Sequence, residues 1–158
     1  MPWNLWGSTM SNQVFYQTIW TDQYLQMVNI TKQIEEVVQS SKVQNGLVTI
    51  LSMHTTAGIT VNEGLECLEQ DIHKFLSNLI PENASYNHAR LLADYGSTAG
   101  NATGHLKAML VGNHCHFLIQ NGTLEKGSAQ DVYFYEFDGP SKRTYCIIIE
   151  EFDCNSNS

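Results

Sequence analysis

The segment 65–79 does most to limit the folds open to this chain. Leu65, Leu68, Ile72, Phe75, Leu76 and Leu79 recur at i, i+3, i+7, i+10, i+11 and i+14, the period of one helix face, and Pro81 lies just beyond. Almost every other apolar run is short and rich in β-branched or aromatic residues, the composition of strands. Such runs occupy 14–20 (VFYQTIW), 24–30, 47–53, 59–61, 116–120, 132–137 and 144–152. Two lesser helices fit between them. One opens at Thr31, carries Ile34, Val37 and Val38 at helical spacing, and is expected to stop at Gly46; the other spans 105–111 and ends at Gly112. Asn121-Gly122 is a strong hairpin signal, and Asp138-Gly139-Pro140 marks another turn. Helices that interrupt an otherwise antiparallel strand pattern predict an α+β fold.

A chain of 158 residues fits one domain, here 13–153. Residues 1–12 read as an N-terminal extension and 154–158 as a C-terminal tail. Gly7, Ser8 and Ser11 break any periodicity in the extension, yet Trp3, Leu5 and Trp6 are more apolar than a solvated tail requires. A flap on its own domain and an anchor for another chain both fit. Residues 82–103 form a polar loop of a length that in compact domains is functional or disordered.

The 8 Lys and Arg against 16 Asp and Glu give a net charge of −8. That balance argues against nonspecific binding to nucleic acid or to an anionic membrane, which needs clustered cations. No stretch approaches the ~20 apolar residues of a membrane span. The start, MPWNLWGSTMSNQ, lacks the basic and apolar regions of a signal peptide. Cys67, Cys115, Cys146 and Cys154 have no CxxC spacing and read as reduced thiols of a cytoplasmic protein. The triplets starting at Asn29, Asn83, Asn101 and Asn121 match a glycosylation acceptor pattern, which arises by chance in a chain rich in Asn, Ser and Thr.

Six histidines carry most of the chemical information. His54 ends an apolar strand, His88 lies in the long loop and His105 opens a short helix. All three sit where separate segments can converge, and three imidazoles with one open position suit a catalytic metal. His73 reads as a solvated residue on the polar side of its helix. His114 and His116 alternate about Cys115 on one strand face, a pair able to bind metal but more simply a sheet-surface pair. Glu63, beside Asn62 at the start of the long helix, can act as general base or favour the helix dipole. Period two sets Gln130 and Glu136 on one strand face and Asp131 on the other. Lys142 and Arg143, adjacent cations in an acidic chain, suit either a phosphate or a solvated turn.

These segments resemble the YjbQ family, known as secondary thiamine-phosphate synthases. The matching pieces are HTTAGITVNEG at 54–64, YNH at 86–88, NATGHLKAMLVG at 101–112 and NGTLEKGSAQDVYFYEFDGP at 121–140, followed by a closing strand with an Arg. The resemblance covers about residues 14–152. It implies two mostly antiparallel β-sheets with two or three helices, a homotrimer, and a divalent metal held by His54, His88 and His105. Zinc is the ion that three imidazoles favour. It also implies coupling of an aminopyrimidine diphosphate to a thiazole phosphate with release of pyrophosphate. In that transferase reading Glu63 and Gln130 are catalytic, while Asn62, Lys142 and Arg143 bind the phosphorylated small molecule. This chain has Gly127-Ser128-Ala129-Gln130 where the family has Gly-Thr-Trp-Gln, and Thr103 where the family has an acidic residue. Those departures and the aromatic extension support an alternative: a catalytically degenerate trimeric scaffold that serves as an assembly or binding module.

Overall fold

The structure is a computed structural model that describes residues 12–88 and 100–152. Residues 1–11 with Trp3, Leu5 and Trp6, most of the loop after His88, and the tail with Cys154 lie outside the described residues. Asn12, assigned to the extension from sequence, is instead the first residue of a strand.

Eight strands and three helices are described. Strands β1 (Asn12–Trp20) and β2 (Gln26–Asn29) precede helix α1 (Thr31–Ser41); β3 (Asn45–Ser52) and β4 (Ala57–Asn62) follow. Helix α2 (Glu66–Leu79) and helix α3 (Ala102–Val111) come next, then β5 (His114–Gln120), β6 (Thr123–Glu125), β7 (Asp131–Glu136) and β8 (Lys142–Glu151). The first sheet has the order β1-β8-β3-β5-β6 and the second β2-β7-β4. Every pairing is antiparallel, so the fold is α+β.

The main core fills the space between the sheets. Val48, Ile50, Phe117, Ile119, Ile147 and Ile149 from one sheet meet Ile59, Val132 and Phe134 from the other, and α1 adds Ile34, Val37 and Val38. The burial of β3 alternates strictly, as period two demands of a strand with one core face. A second cluster lies behind the three-stranded sheet, where Tyr135 and Phe137 pack on Leu76 of α2 and Ala108 of α3. Both faces of β7 are therefore covered. This explains why all but one of its residues are buried while its sequence still alternates between two chemically distinct faces.

Three sequence expectations change. Helix α1 stops at Ser41, where Lys42 takes the left-handed conformation, and Gly46 lies within β3. A Cβ on Gly46 would sit 2.3 Å from the Glu150 carbonyl oxygen, so that glycine permits close strand approach rather than capping a helix. His73 is turned inward: its ring centroid is 5.3 Å from that of Tyr135, and its buried Nε2 has no partner. The apolar stripe of α2 is wider than the side it buries. Leu76 is buried, whereas Leu65, Phe75 and Leu79 are exposed.

Candidate histidine cleft

His54 stands in the short connection from β3 to β4, held on several sides. Its backbone N–H donates to Ser52 Oγ at 3.3 Å, and Ser52 Oγ donates to the Ala57 carbonyl at 3.0 Å. Its ring Nε2 accepts the Thr144 backbone N–H at 2.7 Å. That bond puts the ring proton on Nδ1 and favours the neutral form. Burial, and then the Arg143 charge, also hold the His54 pKa below its usual value.

Next to Thr144 is a saturated polar node. Arg143 is buried and donates through Nε to Glu136 Oε2 at 2.6 Å and through Nη2 to Oε1 at 2.5 Å. Arg143 also reaches Thr56 Oγ1 at 3.1 Å, while Glu136 accepts from Thr21 Oγ1 and from the Phe137 and Asp138 N–H groups. Both charges, removed from water, thus find fixed partners. Lys142 points to the other face of β8, with its Nζ 5.7 Å from the ring centroid of the exposed Trp20. The two adjacent cations therefore do not share a patch, because period two separates them.

His105 lies in the first turns of α3. The helix can lean on the end of β7 because Gly104 is there; a Cβ would come 3.0 Å from the Phe137 carbonyl oxygen. Thr103 and Lys107 on the same helix bind Glu82, which fastens the segment after α2 to α3. Burial alone would raise the Glu82 pKa, but hydrogen bonds from Lys107 and Thr103 bring it below the ordinary range. Thr103 thus serves this anchor; an acidic residue there would face Glu82.

His88 meets His105 edge to face, with ring centroids 5.3 Å apart and planes at 89°. Asn101 Nδ2 donates to Asp138 Oδ2 at 2.7 Å, which turns Asn101 Oδ1 toward His88 Nε2 at 3.1 Å. His88 accordingly donates from Nε2 and keeps a lone pair on Nδ1. Neither ring nitrogen of His105 has a hydrogen-bond partner among the described residues. His105 shares two hollows. One, of about 400 Å³, is lined by His54, Thr55 and Ala57 on one side and by His105, Met109 and Asn113 on the other. The other, of about 430 Å³, joins His105 to His88, Tyr86 and Leu106.

The three histidines singled out from sequence thus occupy one region with His105 in the middle. Among the described residues no three His, Cys, Asp or Glu side chains form a group close enough to hold one ion. His88 and His105 fit a metal, since both keep lone pairs and a carboxamide–carboxylate chain orients His88. His54 as it stands does not fit, because Thr144 occupies its Nε2.

Asn62, Glu63 and Gln130 are elsewhere. Asn62 pairs with Asp131 at one end of the three-stranded sheet, and Ala57 pairs with Glu136 at the other. At ~3.3 Å per residue, β4 sets Glu63 roughly 20 Å from the His54 end. Glu63 is exposed, and its N–H donates to Asn62 Oδ1. Gln130 precedes β7 in a turn, with Oε1 accepting the Gly127 N–H at 2.8 Å. The sequence reading missed the Glu136–Arg143 node and the Glu82 anchor. A lone Lys at a helical core position, Lys107, and an Arg alternating with buried strand residues were the available signals.

A family model described as UPF0047 protein YjbQ-like matches residues 16–151. A UPF0047 protein of Methanocaldococcus jannaschii is 36% identical over 137 residues, covering 86% of this chain and 93% of its own. One from Archaeoglobus fulgidus is 37% identical over 130 residues, covering 82% and 95%. The crystal structure of a YbjQ-like protein of unknown function from Sulfolobus solfataricus superposes with a TM-score of 0.79 at 30% identity, over 90% of this chain and all of that one.

Proposed function

We propose, for a chain that belongs to the YjbQ-like UPF0047 family, that the His105 cleft binds a divalent metal and a phosphorylated small molecule. The observation that carries this reading is the open pair His88–His105 beside the saturated Glu136–Arg143 node. Zinc or a neighbouring ion suits imidazole ligands, and His88 and His105 would hold it. Such an ion supplies Lewis-acid stabilisation of a leaving diphosphate. The chain's own groups bind and orient. His54 keeps Nδ1–H as a donor for an anionic oxygen, since Thr144 fixes its tautomer. Arg143 acts from behind: its guanidinium is spent on Glu136, so its charge tunes His54 rather than gripping phosphate.

The reaction class that fits is transfer with diphosphate release, as in coupling an aminopyrimidine diphosphate to a thiazole phosphate. Purified protein is to be assayed for pyrophosphate release from that pair, with zinc analysis alongside. Turnover and zinc that both disappear in His105→Ala support the reading; a folded, zinc-loaded protein inert toward phosphorylated substrates leaves only the binding part. Glu63 and Gln130, far from His54 within one chain, enter this chemistry only if another copy brings them there.

A second reading rests on β1. This nine-residue strand pairs with β8 alone among the described residues, and Val14, Tyr16 and Trp20 on its outer face are exposed. Long apolar edges of this kind favour association, which suits a homotrimeric scaffold. Light scattering on Tyr16→Lys/Trp20→Lys reads it directly: a fall from a trimer mass to a single chain supports it, and a wild-type chain already monomeric sinks it.

A further inference from the structure

We propose that His114 and His116 form a second, surface site for a divalent transition-metal ion, separate from the His105 cleft. The two residues are i and i+2 on β5, so both side chains leave the same face of the five-stranded sheet. Both are exposed, and their ring centroids are 4.9 Å apart at 64°. That spacing lets two imidazoles reach one ion without moving the strand, whose backbone the β3 ladder fixes at Leu51 and Thr49.

The surroundings prepare the rings as ligands. His114 Nδ1 lies 2.7 Å from Asn113 Oδ1, an acceptor, so Nδ1 carries the proton and Nε2 keeps its lone pair. His116 Nδ1 lies 2.8 Å from Thr49 Oγ1, the residue directly opposite in the ladder, which can accept the same way. Each ring is thereby steered by a side-chain oxygen on one nitrogen and left open at the other, the usual outer arrangement of a metal-binding histidine. Cys115 between them faces the other side of the strand and takes no part.

Two neutral nitrogens with the remaining positions open to water select borderline ions. Cu(II) binds tightest by the usual order of divalent affinities, with Ni(II) and Zn(II) weaker. Mg(II) and Ca(II), which want oxygen, are not expected to bind. The pair is three strands from β1 in the sheet order, ~14 Å away at the usual strand spacing, so association through β1 leaves it accessible.

The test uses Cu(II) itself on the full chain in a His88→Ala/His105→Ala background, which removes the cleft pair. Titration calorimetry is expected to give about one bound Cu(II) per chain, with an electron spin resonance spectrum showing two equatorial nitrogens. Adding His114→Thr/His116→Thr, substitutions at exposed strand positions, should abolish that binding. Thr49→Val, which keeps both ligands and removes the orienting oxygen, should weaken it by about tenfold. Unchanged Cu(II) binding without His114 and His116, or none in the background that keeps them, overturns the proposal. Neither result bears on the cleft, whose zinc is measured with His105 present.

Discussion

Two polar groups flank His54 and differ in how completely they are satisfied. On one side Glu136 and Arg143 are buried, and Glu136 alone accepts from Arg143, Thr21 and two backbone N–H groups. On the other side His88 and His105 touch each other, and among the described residues each keeps a ring nitrogen without a hydrogen-bond partner. Saturation marks a group whose work is to hold the fold, since a buried charge without partners is prohibitively costly. Incomplete satisfaction beside a hollow marks a group with capacity left for a ligand. His54 belongs partly to each, with its Nε2 given to the β8 backbone and its Nδ1 left over.

Substitutions should separate the two nodes by size of effect. Arg143→Met strands a buried carboxylate and is expected to cost about 3–5 kcal/mol in urea unfolding, whereas Arg143→Leu/Glu136→Leu recovers much of that loss. An Arg143→Met chain as stable as the wild type would break the comparison at its saturated end. Lys107→Met comes next, at about 1–2 kcal/mol, because Glu82 is half exposed and can hydrate once its partner is gone. His105→Ala should change stability by only about 0.5 kcal/mol in either direction, since the ring is part-exposed and its nitrogens have no hydrogen-bond partner among the described residues. Its effect belongs in metal content instead.

The smallest effect is a pH slope. The folded chain holds the pKa of His54 and of His73 below 6.5, mainly by burial. The unfolded chain therefore takes up protons first as pH falls below 6.5, and stability declines with falling pH through that window. His54→Gln should flatten part of the slope and leave the His73 share. A slope that steepens would mean that the folded state prefers a charged His54.

The sheets and helices were largely legible because their signals are local. Period two in β3 and β7, the helical period of α2 and the Asn121-Gly122 turn, where φ is +51° and +73°, depend on neighbours in sequence. What escaped depends on distance in space. Gly46 read as a stop because its contact, the Glu150 carbonyl, is over 100 residues away. His73 read as solvated because Tyr135, which it faces, comes from β7, far along the chain. The cleft histidines were legible as separate motifs, but Thr144 bonding to His54 was not, since a backbone N–H has no sequence signature. Glu63 read as a possible general base, but the length of β4 carries it away from the His54 end. The cations Lys142 and Arg143 illustrate the same limit: adjacency in sequence is opposition across a strand.

The central claim is that the open histidine pair, rather than the saturated node, binds the ion. The most direct measurement is zinc content of the full chain carrying His114→Thr/His116→Thr, compared with the same chain also carrying His105→Ala. The account predicts about one zinc per chain in the first and essentially none in the second, both folded. Equal zinc in the two chains, or a folded first chain that takes up no zinc at all, would contradict it.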